Sequence, residues 1–272
     1  MAGRASLIAA TLAIGLALAV PSIALGAPRA KGPKGPSWSK RLREADRFIR
    51  GRIGTVSFAV VDERGRVHGR RRSVHHKSAS LAKAMILVAY LRRGDVRGRR
   101  LRAYEKALLA PMIRVSDNDA ANDLYNRVGP ERLARLAKRA GMRRFVASPV
   151  WGGCQVTARD QARFFFRIRG LIPRRHRDYA LRLLSSIVRS QRWGIPRVIP
   201  AGWRIHFKGG WTPDDDGWRV HQAALVRGDG RRISIAVLTG GNPGLGYGAR
   251  TIAGVAARLL RGYRPAVSSA NW

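Results

Sequence analysis

The sequence holds a single cysteine, Cys154, in 272 residues. An internal disulfide is therefore excluded, and no zinc-finger spacing occurs. The closest histidine along the chain is His176, too remote in sequence to read as a thiol-activating partner. Cys154 is expected to be a buried structural residue. Carboxylates are scarce as well: 16 Asp and Glu stand against 53 Lys and Arg, a formal net charge of +37. Lysine is itself rare, with 45 Arg for 8 Lys. No RNA-binding aromatic motif and no uninterrupted basic recognition helix is present, so nucleic acid is not expected as the main ligand. The arginines are interspersed among apolar residues, which reads as a solvated coat. Its field draws the protein toward anionic surfaces such as a cell envelope. No metal or cofactor is expected.

What is present is a chain of enzyme size. A content of 45% hydrophobic residues in 272 is enough to bury a substantial core, as one large domain or two packed lobes. Arg4 is followed by the uncharged run SLIAATLAIGLALAV, Pro21 and the small-residue end IALGA. This is the layout of a secretory signal peptide over 1–27, and it predicts a secreted, extracytoplasmic protein, envelope-associated if the charge engages that surface. A retained membrane anchor is the competing reading of the same segment. Residues 28–36, PRAKGPKGP, read as a linker, and 37–272 as the folded domain.

Periodicity divides that domain. Ser37 caps a helix bearing Trp38, Leu42, Ala45, Phe48 and Ile49 on one face. TVSFAVVD (55–62) reads as a strand, ERGR as a turn and VHGRRRS (67–73) as the return strand of a hairpin. A helix over 80–92 opens a helical block, about 80–200, whose later members are LRAYEKALLAPMIR, DNDAANDLYNRVG, ERLARLAKRAG, TARDQARFFFRIRG and a helix at 177–189. Three strands follow, WRIHFKGGW, WRVHQAALVRG and RRISIAVLTGG, and a closing helix at 249–263. The expected fold is α/β of the α+β kind: a five-stranded antiparallel sheet flanked by N- and C-terminal helices, with an all-helical second lobe. A site between the lobes follows.

Three short motifs carry chemistry. Ser80 and Lys83 lie three apart on a helix, so their side chains share a face. A serine hydroxyl needs a base to become a nucleophile, and a desolvated lysine can lose its proton where arginine cannot. The spacing alone proves little, since Ser37 and Lys40 repeat it in SWSK beside the linker. Ser116-Asp117-Asn118 reads either as a helix N-cap or as a proton relay with an amide that holds a substrate carbonyl. Lys208-Gly209-Gly210 reads either as a strand bulge or as a fixed positive charge beside glycines that admit a ligand or another backbone.

In this order and on these elements, the motifs resemble those of the penicillin-recognising serine enzymes, and most of all the class A β-lactamases. The resemblance extends to the flanking SDNDAANDLYNRVG and to the AGW before the third motif. It implies a β-lactamase/transpeptidase-like sandwich with Ser80 as acylated nucleophile, Lys83 as general base and Ser116 as proton relay. It further implies that Asn118 binds the substrate amide, that Lys208 attracts a carboxylate, and that the backbone N–H groups of Ser80 and Trp211 form the oxyanion hole. The substrate would be a β-lactam or a D-alanyl cell-wall peptide, and a monomer is expected.

The sequence departs from that class in two places. The class activates its deacylating water with a glutamate in the loop between the second and third motifs. Here the last glutamate is Glu131, and no carboxylate occurs between 132 and 159. Asp160 is the nearest, in a setting that suits a helix N-terminus. The hydroxyl residue of the third motif is Gly209, for which Arg219 on the next strand can compensate or be an ordinary exposed arginine. Slow deacylation is therefore expected. The other reading is a non-catalytic envelope-binding protein on a degenerate version of the fold.

Overall fold

A computed structural model of the chain describes residues 37–263. The expected signal peptide and linker lie outside the described residues. Ser37 Oγ accepts from Lys40 N (3.4 Å) at the start of α1 (Trp38–Arg50). The first hairpin pairs β1 (Thr55–Val61) with β2 (Val67–Arg70). Asp62 closes its turn by accepting from Arg64 N (3.0 Å) and Arg66 N (2.9 Å). The last three strands, β5 (Arg204–Asp214), β6 (Gly217–Gly228) and β7 (Arg231–Asn242), form an antiparallel meander.

The order β2-β1-β7-β6-β5 joins the two ends of the domain, with Ala59 opposite Ala236. β1 and β7 are buried on both faces, so they read as continuous apolar runs. On one face Ser234 Oγ donates to Ala162 O (2.6 Å) of α5 (Ala158–Leu171). On the other, Gly248 of α7 (Leu245–Leu259) packs on Val220 so closely that a Cβ would lie 2.6 Å from that side chain. This close approach explains why the closing helix begins at Leu245 and not at 249. LGYG has weak intrinsic helix propensity, and packing on the sheet overrides it.

The helical block between the two parts of the sheet runs from Ala79 to Arg197. At its centre lies α2 (Ala82–Leu91), all ten residues of which are buried. An all-apolar helix of this kind is stable only when surrounded. Around it stand α3 (Ala103–Arg114), α4 (Asn118–Ala140), α5 and α6 (Arg177–Ser185). α4 comprises two helices that meet at a kink, where Gly129 (φ 73°) leaves helical geometry, as the sequence reads them, and left-handed Gly141 (φ 75°) closes the second. A second, two-stranded sheet pairs β3 (His75–Lys77) with β4 (Gln155–Thr157). Three-residue strands carry too little alternation to be recognised in sequence.

Candidate active site

Ser80 lies in a 3-10 turn, Ala79–Leu81, immediately before α2. The helix expected over 80–92 therefore opens as a tighter turn, which sets Ser80 at its mouth instead of on its flank. Ala79 holds φ 45°, a left-handed conformation that costs an alanine about 1–3 kcal/mol and persists only under outside constraint. The constraint is visible. Ser78 N donates to Cys154 O (2.7 Å), Ser78 Oγ donates to Trp151 O (3.0 Å), and the edge strand β5 lies against the turn. A Cβ on Gly210 would sit 2.9 Å from both Ser80 N and Leu81 N. Glycine is required there because two backbones meet. The Ser80 hydroxyl is half-buried and makes no hydrogen bond among the described residues.

Lys83 is fully buried one turn further on. Its Nζ donates to Ser116 O (2.5 Å), Asn118 Oδ1 (2.7 Å) and Ser116 Oγ (3.3 Å). Three acceptors use all three protons of an ammonium, and loss of one proton frees a lone pair for a hydroxyl. Burial brings its pKa down to about 8, against a smaller opposing pull from Asp117. Lys208, also fully buried, reaches the same hydroxyl from β5: Nζ donates to Ser116 Oγ (3.1 Å) and to Gly209 O (2.9 Å). Burial, and next the charge of Lys83, hold Lys208 well below the ordinary lysine range.

The two readings of Ser-Asp-Asn divide between its residues. Asp117 is the N-cap of α4, accepting from Ala120 N (2.8 Å), while Ser116 and Asn118 turn toward Lys83. Ser116 adopts φ 63° at this corner, held by lysines from two other elements.

These groups border an open cleft of about 310 Å³ lined by Ser80, Asn118, Trp151, Trp211, Thr212 and Arg219, among others. None of its lining residues is a carboxylate. Trp151 occupies the wall beside Lys83. Its ring centroid is 4.6 Å from Lys83 Nζ, and its Nε1 donates to Asn122 Oδ1 (2.8 Å). Arg219 is 12% exposed and ion-paired with Asp214 across the β5–β6 turn, so its guanidinium reaches the cleft already partnered. Gly209 lies under Trp193: an added Cβ would meet the indole at 3.1 Å. Trp193 and Trp211 then stack edge to face, with centroids 5.8 Å apart.

Trp151, Trp193 and Thr212 were not legible as site residues. Tryptophans in loops carry no spacing signal, and Thr212 follows the motif without belonging to it. SWSK is an ordinary cap with an exposed lysine. Asp160 is buried and accepts from Arg143 N (3.1 Å) and Arg144 N (2.9 Å). It ties the preceding loop to α5 and does not line the cleft. Cys154 is fully buried, and burial raises its thiol pKa. Among the described residues no group of three or more His, Cys, Asp or Glu side chains is placed to hold a metal ion.

Comparison with known proteins bears on the family and the fold. The family model described as the Beta-lactamase enzyme family matches residues 102–263, a span that contains Ser116, Asn118 and Lys208 and begins after Lys83. Among solved structures, a β-lactamase from Sphaerobacter thermophilus DSM 20745 is 21% identical, covering 83% of this chain and 97% of its own, with a TM-score of 0.69. A class A β-lactamase from Mycobacterium abscessus is 20% identical, covering 81% of this chain and 98% of its own, with a TM-score of 0.68. A β-lactamase from Xanthomonas campestris pv. campestris is 18% identical over 81% and 96% of the two chains, also with a TM-score of 0.68. No curated protein sequence matches the chain. At these identities the structural likeness speaks for the fold, a mixed α/β sandwich with a five-stranded antiparallel sheet.

Proposed function

The chain belongs to the Beta-lactamase enzyme family, and on that premise we propose that it is an exported active-site-serine acyl-hydrolase. It acts on β-lactams or D-alanyl cell-wall peptides through an acyl-enzyme on Ser80 that hydrolyses slowly. One observation carries the reading. Buried Lys83 and Lys208 converge on the Ser116 hydroxyl, and Lys83 also holds Asn118, which lines the same cleft as Ser80.

Neutral Lys83 takes the proton of Ser80 Oγ as that oxygen attacks the substrate carbonyl carbon. The backbone N–H groups of Ser80 and Trp211 stabilise the oxyanion. As the tetrahedral species collapses, Ser116 gives its proton to the leaving nitrogen and is reprotonated from the lysines. The Asn118 amide holds the substrate amide carbonyl, and Lys208 with Arg219 supplies positive charge for its carboxylate. Gly209, covered by Trp193, leaves that carboxylate one hydroxyl donor fewer. Deacylation needs a base for water, and no carboxylate lines the cleft. Trp151 stands against Lys83 instead.

The test is to incubate the protein with a penicillin and follow its intact mass over time. A persistent adduct of one penicillin, absent from Ser80→Ala, is expected. Rapid turnover without accumulation overturns the slow deacylation. No adduct at any concentration overturns the catalytic reading and leaves an envelope-binding protein on this fold. Export is checked separately, by the N-terminal sequence of the mature protein.

A further inference from the structure

A second, wider cleft lies elsewhere in the described residues. It has a volume of about 810 Å³ and lies between α6, the start of β5 and the β6–β7 turn. Arg204, on its wall, precedes Lys208 by four residues, roughly 13 Å along the strand, and the two clefts share no lining residue. Arg169, Arg182, Arg192, Arg204, Arg227 and Arg231 line it, with Asp178 as the one carboxylate.

The arrangement of these arginines is unfavourable as it stands. Arg204 lies directly opposite Arg227, and Arg227 directly opposite Arg232, so like charges stand in a row across three adjacent strands. Such pairs destabilise a sheet. Arg232 is drawn aside, its guanidinium 4.3 Å from the centroid of Phe166. Arg231 pairs with Glu63 (3.8 Å) and Arg192 donates to Ser185 O (3.1 Å). Arg169, Arg204 and Arg227 make no ion pair among the described residues. Arg227 has its basicity lowered by burial and then by Arg169, Arg232 and Arg204. His206, which also lines the cleft, feels the same field. Burial, then Arg227, Arg169 and Arg204, push its pKa down to about 4, and its buried Nδ1 has no hydrogen-bond partner.

A solvated arginine coat spreads its charges over the surface. Here guanidiniums that make no ion pair among the described residues, Arg169, Arg204 and Arg227 among them, line one concave wall. A carboxylate offers two oxygens, enough for one guanidinium fork, whereas a phosphate group presents oxygens to forks from several directions. We propose that this cleft binds a phosphate-bearing anion, held by Arg169, Arg204 and Arg227.

The test is calorimetric titration of the full chain with pyrophosphate and with a polyphosphate chain, at an ionic strength of about 0.15 M where diffuse attraction is screened beyond ~8 Å. Saturable binding with one site per protein is expected. Arg204→Gln/Arg227→Gln should weaken it about tenfold or more, while Arg43→Gln/Arg135→Gln, which removes equal charge from exposed positions elsewhere, should leave it within about twofold. Pyrophosphate binding would identify a free anion, and binding of the chain alone a polymer. Both outcomes uphold the phosphate site. Equal weakening by the two double variants, or binding that never saturates, overturns it. Without ligand, Arg204→Gln/Arg227→Gln should melt no lower than the parent, because it removes an opposed like-charge pair. If that variant does not fold, Arg169→Gln on α5 gives the same readout.

Discussion

Lys83 and Lys208 donate to one oxygen: their Nζ atoms lie 3.3 and 3.1 Å from Ser116 Oγ. One comes from the central helix and the other from the edge strand of the sheet, so the shared hydroxyl joins the two halves of the domain. Two fully buried ammonium groups on one neutral acceptor repel each other and lack a compensating carboxylate in the cleft. The arrangement favours release of a proton, which is what a lysine base requires.

Acylation should therefore follow the ionisation of Lys83. Its pKa of about 8 means that the neutral base gains about tenfold per pH unit below that value and levels off above it. The rate of penicillin adduct formation should rise from pH 6 to a plateau past pH 8, read by mass spectrometry of quenched samples. Lys83→Arg keeps the charge and cannot release the proton. It should lose about 10²–10⁴-fold in rate at every pH. A rate independent of pH across this range would remove Lys83 from the role of base.

Gly210→Ala places a methyl 2.9 Å from Ser80 N and Leu81 N. Two backbones must part, at a cost of about 1–3 kcal/mol, and the Ser80 N–H moves with them. Melting temperature should fall by several degrees and acylation should drop further than stability does. A variant that melts lower but acylates normally would show that the contact only packs the strand.

Gly209 and Trp193 should behave as a coupled pair. Gly209→Ser alone forces its side chain against the indole, 3.1 Å from an added Cβ, and should slow acylation. Trp193→Ala/Gly209→Ser gives the new hydroxyl room to reach a substrate carboxylate, so the double variant should outperform Gly209→Ser. The measurement is a double-mutant cycle on the acylation rate constant. Additive effects would mean that the tryptophan does not occupy the place of the hydroxyl.

Buried His206 and His221, with half-buried His76, set the acid side of the stability profile. Burial is the leading cause that lowers His76 to about 4, His206 to about 4 and His221 to about 3. Each stays neutral in the fold while the unfolded chain takes up a proton below about 6.5. Their contribution is complete above pH 6.5 and is lost as pH falls through about 4. The slope is on the order of 1.4 kcal/mol per pH unit for each group between those limits. Thermal unfolding from pH 7.5 to 4 should show this fall, and His206→Gln should flatten it.

Much of this protein is legible in local pattern. Apolar runs in TVSFAVV and in the three late strands, and helical spacing in TARDQARFFFRIRG, mark these elements in their own sequence. Ser80 and Lys83 share a helix face by spacing alone, and the scarcity of carboxylates after Glu131 is plain in the text of the chain. Boundaries were less legible where another element intrudes. α7 begins early because Gly248 can lie on Val220, and the helix of Ser80 opens as a 3-10 turn because β5 presses on it.

The sequence by itself determined the element types, their antiparallel assembly and the order of three motifs, because these depend on periodicity and on contacts a few residues apart. Only the tertiary structure decided which of two identical Ser-x-x-Lys spacings meets a buried partner. It also made Asp117 the cap of α4 while turning Ser116 and Asn118 toward Lys83, and set Trp193 over Gly209. The arginines of β5, β6 and β7 came into one row in the same way. Those relations join residues far apart in the chain, so strand register and packing establish them, and no local period contains them.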